Sequence, residues 1–233
     1  MSESEPSHSS AQLLSLPTDQ LLEKFGSGNH KPGSGSAAAL LGLLSCKLLQ
    51  TVVSLTKDRA QYQEAQPQLT LANQQVADTI EPFLIHAVQQ DAIHFDRVIQ
   101  ARRSRDAEKD PKIKRQLRDR ARAELRVATE IPMAIAEHSL ELADKAFAVF
   151  DLGFKSARGD SGVAISAALS GATGALFIVF LNLASFGGSE WAIRMREKAH
   201  ELQARAQRLQ LELFKRVQTL QHEAEQKAQL NEE

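Results

Sequence analysis

The sequence predicts an all-α fold, an antiparallel helical bundle with a long C-terminal helix, and three observations carry that prediction. Ala, Leu and Gln are abundant while Tyr and Trp occur once each, a composition that favours helices over strands. Apolar residues recur at three- and four-residue spacing over long stretches, with no convincing strand pattern, Asn-Gly hairpin or internal repeat. Two segments, Ser36 to Cys46 and residues 161–189, carry no charge and suit helices that bury each other in the middle of a bundle. The 233 residues fit one domain and are enough to bury a sizeable core.

Taken in order, MSESEPSHSSAQ is polar and acidic and lacks the basic start and apolar run of a secretory signal. Residues 1–14 are therefore expected to be a disordered tail, and 15–233 a single helical domain. LSLPTDQLLEKFGSG reads as a short helix with Thr18 as N-cap, Asp19 in the first turn and Gly26 as its stop. The next helix opens at PGSGS, and from Ser36 to about Thr56 its apolar positions run nearly all the way round, which implies burial on most sides. Pro67 marks a break or a first-turn residue, and LANQQVADTIEPFLIHAVQQDAIHFDRVIQA continues as helix with a bend at Pro82.

Between Arg102 and Arg126 basic residues outnumber acidic ones, and Ile113, Leu117, Ala121 and Leu125 form a narrow apolar stripe on a charged helix. IPMAIAEHSLELADKAFAVF is again helical, with Pro132 breaking its pattern. Residues 161–189 are long and apolar enough to raise the question of a membrane span. They end in Asn182, Ser185 and paired glycines, not in an aromatic and basic girdle. Ser166, Ser170 and Gly174 form a small-residue seam suited to close helix packing, so a place in a protein core, with no membrane, is expected. Glu190 to Glu233 reads as one helix of roughly 60 Å at 1.5 Å per residue, packed along Ala199, Leu202, Ala206, Leu209, Leu213, Leu220 and Ala224.

Charge and cysteine usage narrow the function. A net charge of −1 exerts no global pull on nucleic acid or acidic membranes. The basic run at 102–126 has acidic residues interleaved and no aromatic side chain to stack on bases, so it reads as a solvated helix face rather than a nucleic-acid site. The single cysteine, Cys46, has no disulfide or CxxC partner and reads as a small buried residue in a protein of the reducing cytoplasm.

Four places carry candidate chemistry. The glycine-rich stretch 32–36 lacks the lysine and the preceding strand of a phosphate loop. It reads either as a plain turn or as a helix N-terminus whose free N–H groups suit an anionic or carbonyl-bearing ligand. Asp91 interrupts a helix bearing Ile85, Val88, Ala92 and Phe95, where an apolar wall raises a carboxyl pKa toward a useful range; a surface position is the alternative. His86, Asp91 and His94 do not share one face, and no zinc-type spacing occurs, so no metal is expected. Asp160 and Asn182 bracket the uncharged segment, either as N-cap and exit residue or as groups flanking a buried site.

Taken together, PGSGSAAAL at 32–40, DAIHF at 91–95, IPMAIAE at 131–137, RGDSGVA at 158–164 and FLNL at 180–183 resemble the cyclodeaminase/cyclohydrolase family. This is the folate-processing domain of formimidoyltransferase-cyclodeaminase and its free-standing bacterial relatives. The likeness runs from about Leu16 to the C-terminus in the family's order. The chain departs from the family pattern at Ser34, where a glycine is usual, at Ile178, where an asparagine is usual, and at Arg102 and Arg103, which replace an RLPK segment.

The resemblance implies an all-helical homodimer with folate sites near the subunit interface. It also implies closure of formimidoyltetrahydrofolate to methenyltetrahydrofolate with loss of ammonia, with no cofactor beyond the tetrahydrofolate substrate. A related branch hydrolyses the methenyl bridge. Asp91 falls on the family's catalytic aspartate, Asp160 and Asn182 on groups that pair with the pterin edge, and Gly33, Ser34, Gly35 and Ser36 on a substrate-binding helix start. A catalytically silent folate-binding or protein-interaction module stays open as the rival reading.

Overall fold

The structure, a computed structural model, describes residues 12–230. Among them are seven α-helices and no strand: α1 (Thr18–Gly26), α2 (Ser34–Thr56), α3 (Gln66–Gln75), α4 (Glu81–Ala107), α5 (Pro111–Leu152), α6 (Arg158–Leu183) and α7 (Glu190–Leu230). The expected all-α bundle is thus present. Most of the expected tail lies outside the described residues, but its last part is placed: Leu13 is buried, and its N–H donates to Gln89 Oε1 at 3.0 Å.

The two uncharged segments form the centre. Helices α2 and α6 run antiparallel, and Ser45 Oγ donates to the Ala164 carbonyl across them at 2.7 Å. A Cβ placed on Gly171 would lie 2.8 Å from the Ala38 carbonyl oxygen, so a glycine is what lets the two backbones approach. Around this pair pack Leu49 of α2, Leu84 of α4, Leu140 and Leu142 of α5, and Ile165 and Leu169 of α6, all essentially without exposed surface. By length and composition alone both helices are apolar enough to cross a bilayer, yet half of each apolar window is buried inside the protein. Their outer faces keep Leu44, Phe177 and Leu181 exposed.

Two expectations need correction. Thr18 is the first helical residue rather than the cap, and the capping position is Pro17. Pro132 does not break its helix: α5 runs through it from Pro111 to Leu152, with Pro132 buried. Proline has no N–H for the carbonyl four residues back, which orphans the oxygen of Ala128. Asn182 Nδ2, from the end of α6, donates to that oxygen at 3.0 Å. A side chain from a neighbouring helix thus supplies the bond that proline removes. Pro82, where a bend is expected, sits in the first turn of α4, directly after a π-helical turn over Val76–Ile80.

The charged segment forms the α4–α5 hairpin, and Asp110 caps α5 by accepting from the N–H groups of Lys112 and Ile113. Of its expected stripe Ala121 and Leu125 are buried, while Ile113 is exposed. Along α7 the expected seam holds at Ala199, Leu202, Ala206 and Leu213, all buried, but not at Ala224, which is exposed. Ion pairs from Lys198, Arg205 and Arg216 to Glu137, Asp144 and Asp151 of α5 fasten its length.

Candidate active site

The uncharged first turn of α2 and the acid on α4 meet. Asp91 belongs to the buried face of α4, beside Leu84, Ala87, Val88 and Ala92, and is only 8% exposed. The Ser36 N–H donates to its Oδ2 at 2.9 Å. Ser36 Oγ lies 3.4 Å from the same oxygen and donates to the Val88 carbonyl at 2.8 Å. A hydroxyl has one proton, and the shorter bond claims it, so Ser36 Oγ faces Asp91 with a lone pair. A proton on Asp91 therefore has an acceptor close by, and the ionised form keeps the backbone donor.

The glycine-rich turn lies against this carboxyl. A Cβ built on Gly35 would stand 2.0 Å from Asp91 Oδ1, and one on Gly33 would stand 3.6 Å from Oδ2. Only glycine fits at 35, whereas Gly33 has ordinary van der Waals room. Burial pushes the Asp91 carboxyl up from its usual range, and the hydrogen bond from the Ser36 N–H offsets only part of that. No charged neighbour contributes to the shift. The result is a carboxyl that holds its proton more tightly than a surface aspartate, at the positive end of a helix.

The remaining residues fall into place unevenly. Gly33 precedes α2, Ser34 is exposed, and Gly35 and Ser36 are buried. Ser36 N–H, expected to serve a ligand, is already bound to Asp91. Asn182 is half-buried at the same end of the bundle and spends one amide hydrogen on Ala128. Asp160 is exposed in the first turn of α6, at the opposite end. With Ser45 level with Ala164, Asp160 and Ser36 lie roughly 20 Å apart along the helix axes at 1.5 Å per residue. One chain does not bring Asp160 to Asp91.

His86 is exposed, and His94 is half-buried with an unbonded Nδ1, its pKa pushed down by burial and by Arg97 against the pull of Glu124. Among the described residues no three metal-ligating side chains converge. Cys46 is buried, and its thiol is pushed up to about 12, mainly by desolvation, which makes it an inert packing residue. A cleft of about 760 Å³ is lined by Gln50, Lys57, Asp58, Arg59 and Asn73 at the far end of α2 and contains none of the site residues.

Sequence reasoning missed the anchor of the turn. Asp96, five residues beyond Asp91 on α4, meets His30 Nε2 at 3.0 Å and Lys31 Nζ at 2.6 Å. His30 and Asp96 are 66 residues apart, and no local pattern announces such a pairing.

A desolvated carboxyl placed against the glycine-rich start of a central helix, in an all-α bundle, is a group that could take up and release a proton, with no strand or metal-ligating cluster beside it among the described residues. Residues 17–201 match the sequence model of the Formiminotransferase-cyclodeaminase family, and the chain belongs to that family. It is 24% identical over 204 residues to the methenyltetrahydrofolate cyclohydrolase of Methylorubrum extorquens, covering 86% of this chain and 95% of the relative. Its fold is similar to that of the formiminotetrahydrofolate cyclodeaminase from Thermotoga maritima. That match has a TM-score of 0.77 and 16% identity, over 89% of this chain and 98% of the other.

Proposed function

We propose that this member of a folate one-carbon family closes formimidoyltetrahydrofolate to methenyltetrahydrofolate with loss of ammonia, with Asp91 moving the proton. The observation that carries this reading is the buried Asp91 carboxyl, held by the Ser36 N–H under the turn at Gly35. Starting from the protonated formimidoyl group, N10 attacks the formimidoyl carbon and a new C–N bond forms. Asp91 takes the proton from N10 and returns it to the amino group, the old C–N bond breaks, and ammonia leaves. The carboxyl ends as it began, which suits a group whose proton affinity is raised toward neutrality.

A second reading is favoured by the Methylorubrum relative, whose name is that of a cyclohydrolase. In that direction water adds to the methenyl carbon, and Asp91 takes a proton from it. The proton goes to N5 as its bond to carbon breaks, and the second proton of water leaves as the formyl carbonyl forms.

The same reading includes a homodimer. Exposed Leu44, Phe177 and Leu181 on the two central helices are the kind of surface a second copy covers. An antiparallel copy would bring Asp160 of the partner subunit to the Asp91 end, where a carboxylate pairs with the pterin edge and Asn182 meets its amide edge. A cytoplasmic setting fits the single buried thiol.

The test is an absorbance assay of the methenyl chromophore with formimidoyl- and, separately, methenyltetrahydrofolate, against Asp91→Asn. Change with one substrate, lost in the variant, supports the enzyme and selects its branch. Folate-induced thermal stabilisation with no turnover of either substrate replaces the enzyme by a silent binding module.

A further inference from the structure

The turn that covers Asp91 is held to α4 at two places, one of them Ser36, which bonds both Asp91 and the Val88 carbonyl. The other is Asp96, whose two carboxylate oxygens bind His30 and Lys31, immediately before Pro32 and Gly33. Gln100 Nε2 also donates to Asp96 Oδ2 at 2.8 Å and fixes the carboxylate on its helix. The His30 ring meets Phe95 edge-on, with centroids 6.3 Å apart, so the contact is apolar as well as ionic. Burial works against ionising Asp96, yet the hydrogen bonds and charges of Lys31 and His30 prevail and hold its carboxyl below the usual range. Asp96 is therefore a standing anion that grips the turn from the same helix that carries Asp91.

We propose that Asp96 is a positioning residue, which latches the His30–Lys31 segment to α4 so that the Gly33–Ser36 backbone stays seated over the Asp91 carboxyl. Ser36 seats the far end of this stretch through Asp91 and the Val88 carbonyl, but the residues ahead of Gly33 have no such bond. The turn from Ser27 to Pro32 contains no helix, and among the described residues its other polar side-chain contacts, from Ser27 to the Lys24 carbonyl of α1 and from Asn29 to Ser27, do not reach α4. Gly35 and Ser36 touch Asp91, so a turn that lifts from Asp96 admits water to the carboxyl and loosens the Ser36 donor. Asp96 acts through Asp91 and is not required to touch substrate. This inference rests on the proposed proton-transfer role of Asp91, but it is testable without turnover.

The experiment is a pair of measurements on wild type, Asp96→Asn and Asp96→Ala, each with and without Asp91→Asn. The first is the thermal midpoint between pH 3 and pH 8, a window that opens below the ordinary carboxylate pKa of about 4. Wild type loses stability relative to Asp91→Asn as pH rises through the Asp91 titration. With Asp96→Ala that Asp91-dependent loss shrinks and moves to lower pH, because water now reaches the carboxyl; Asp96→Asn, which keeps one acceptor, falls between. The second is the pH profile of kcat, where Asp96→Ala lowers kcat on the order of tenfold and moves the Asp91 limb to lower pH.

An Asp91-linked pH dependence unchanged in Asp96→Ala overturns the latch, whether or not the protein turns over folate. A linked shift without any turnover in wild type supports the latch and counts against the proposed reaction instead. Should Asp96→Ala fail to fold, His30→Ala with Lys31→Met cuts the same contacts from the solvent side, and the same two outcomes decide.

Discussion

The two ends of α6 look equivalent in sequence and differ in structure. Asp160 and Asn182 each stand at a border of the uncharged segment, and each reads as a polar group beside a buried site. At the Asn182 end the packing is tight: the amide completes α5 at Ala128, and the neighbouring start of α2 closes over Asp91. At the Asp160 end the aspartate is exposed and makes no side-chain hydrogen bond among the described residues, beside a flanking Gly159 with open space around it. A polar residue at a helix end is thus structural where it answers a defect in its neighbour. Where nothing in its own chain answers it, it is available to a ligand or a second subunit.

The largest expected effect that sharpens this comparison comes from a methyl group. Gly35→Ala drives a Cβ into Asp91 Oδ1 and is expected to cost about 3 kcal/mol or to displace the carboxyl. Gly159→Ala meets nothing within 4 Å and is expected to be neutral or slightly stabilising. Denaturant unfolding of both variants, compared at equal slope, decides the contrast.

Asp91→Asn is expected to lower kcat by roughly 10²–10⁴-fold, the range for loss of a general acid–base group. Its stability effect has a defined sign. A carboxyl whose folded pKa lies above its unfolded one favours the fold fully below the unfolded value, and that contribution is lost as pH rises through the folded value. The Tm of Asp91→Asn should therefore gain on wild type with rising pH, and a difference independent of pH would refute the desolvated state.

A smaller effect tests the link between helices. Asn182→Ala leaves the Ala128 carbonyl without its donor and is expected to cost about 1–2 kcal/mol. In a Pro132→Ala background residue 132 regains an N–H for that carbonyl, so the cost of Asn182→Ala should fall by about 1 kcal/mol. Additive costs would show that the bond does not answer the proline.

The smallest change in stability is expected for Asp160→Ala, with a Tm close to wild type. If Asp160 of the partner subunit completes the folate site, KM rises while Tm stays; an unchanged KM removes it from the site.

Much of the fold was legible because it rests on local rules. Runs without charge, such as residues 161–189, have no way to be stable except inside, and Gln, Ala and Leu in long three-four patterns have no better state than helix. Asp91 was legible as a carboxylate among apolar residues of one helix, and the family resemblance singled it out. Neither its depth nor its partner was, since burial depends on how closely α2 approaches, and Gly35 is the residue that permits it. Pro132 misled as a break because its missing hydrogen bond is replaced from another helix, by Asn182, 54 residues beyond the Ala128 carbonyl it serves. The grip of Asp96 on His30 and Lys31 was invisible for the same reason.

What the sequence determined by itself is the class of each segment: which stretches are helices, which are buried, and which positions carry a functional group. Those properties follow from side-chain chemistry and backbone propensity within a few turns. The tertiary structure alone decided which groups answer each other across the bundle. A buried carboxyl's proton affinity and a proline's lost hydrogen bond are both settled by atoms within about 3 Å, and such atoms come from whichever helix packs there.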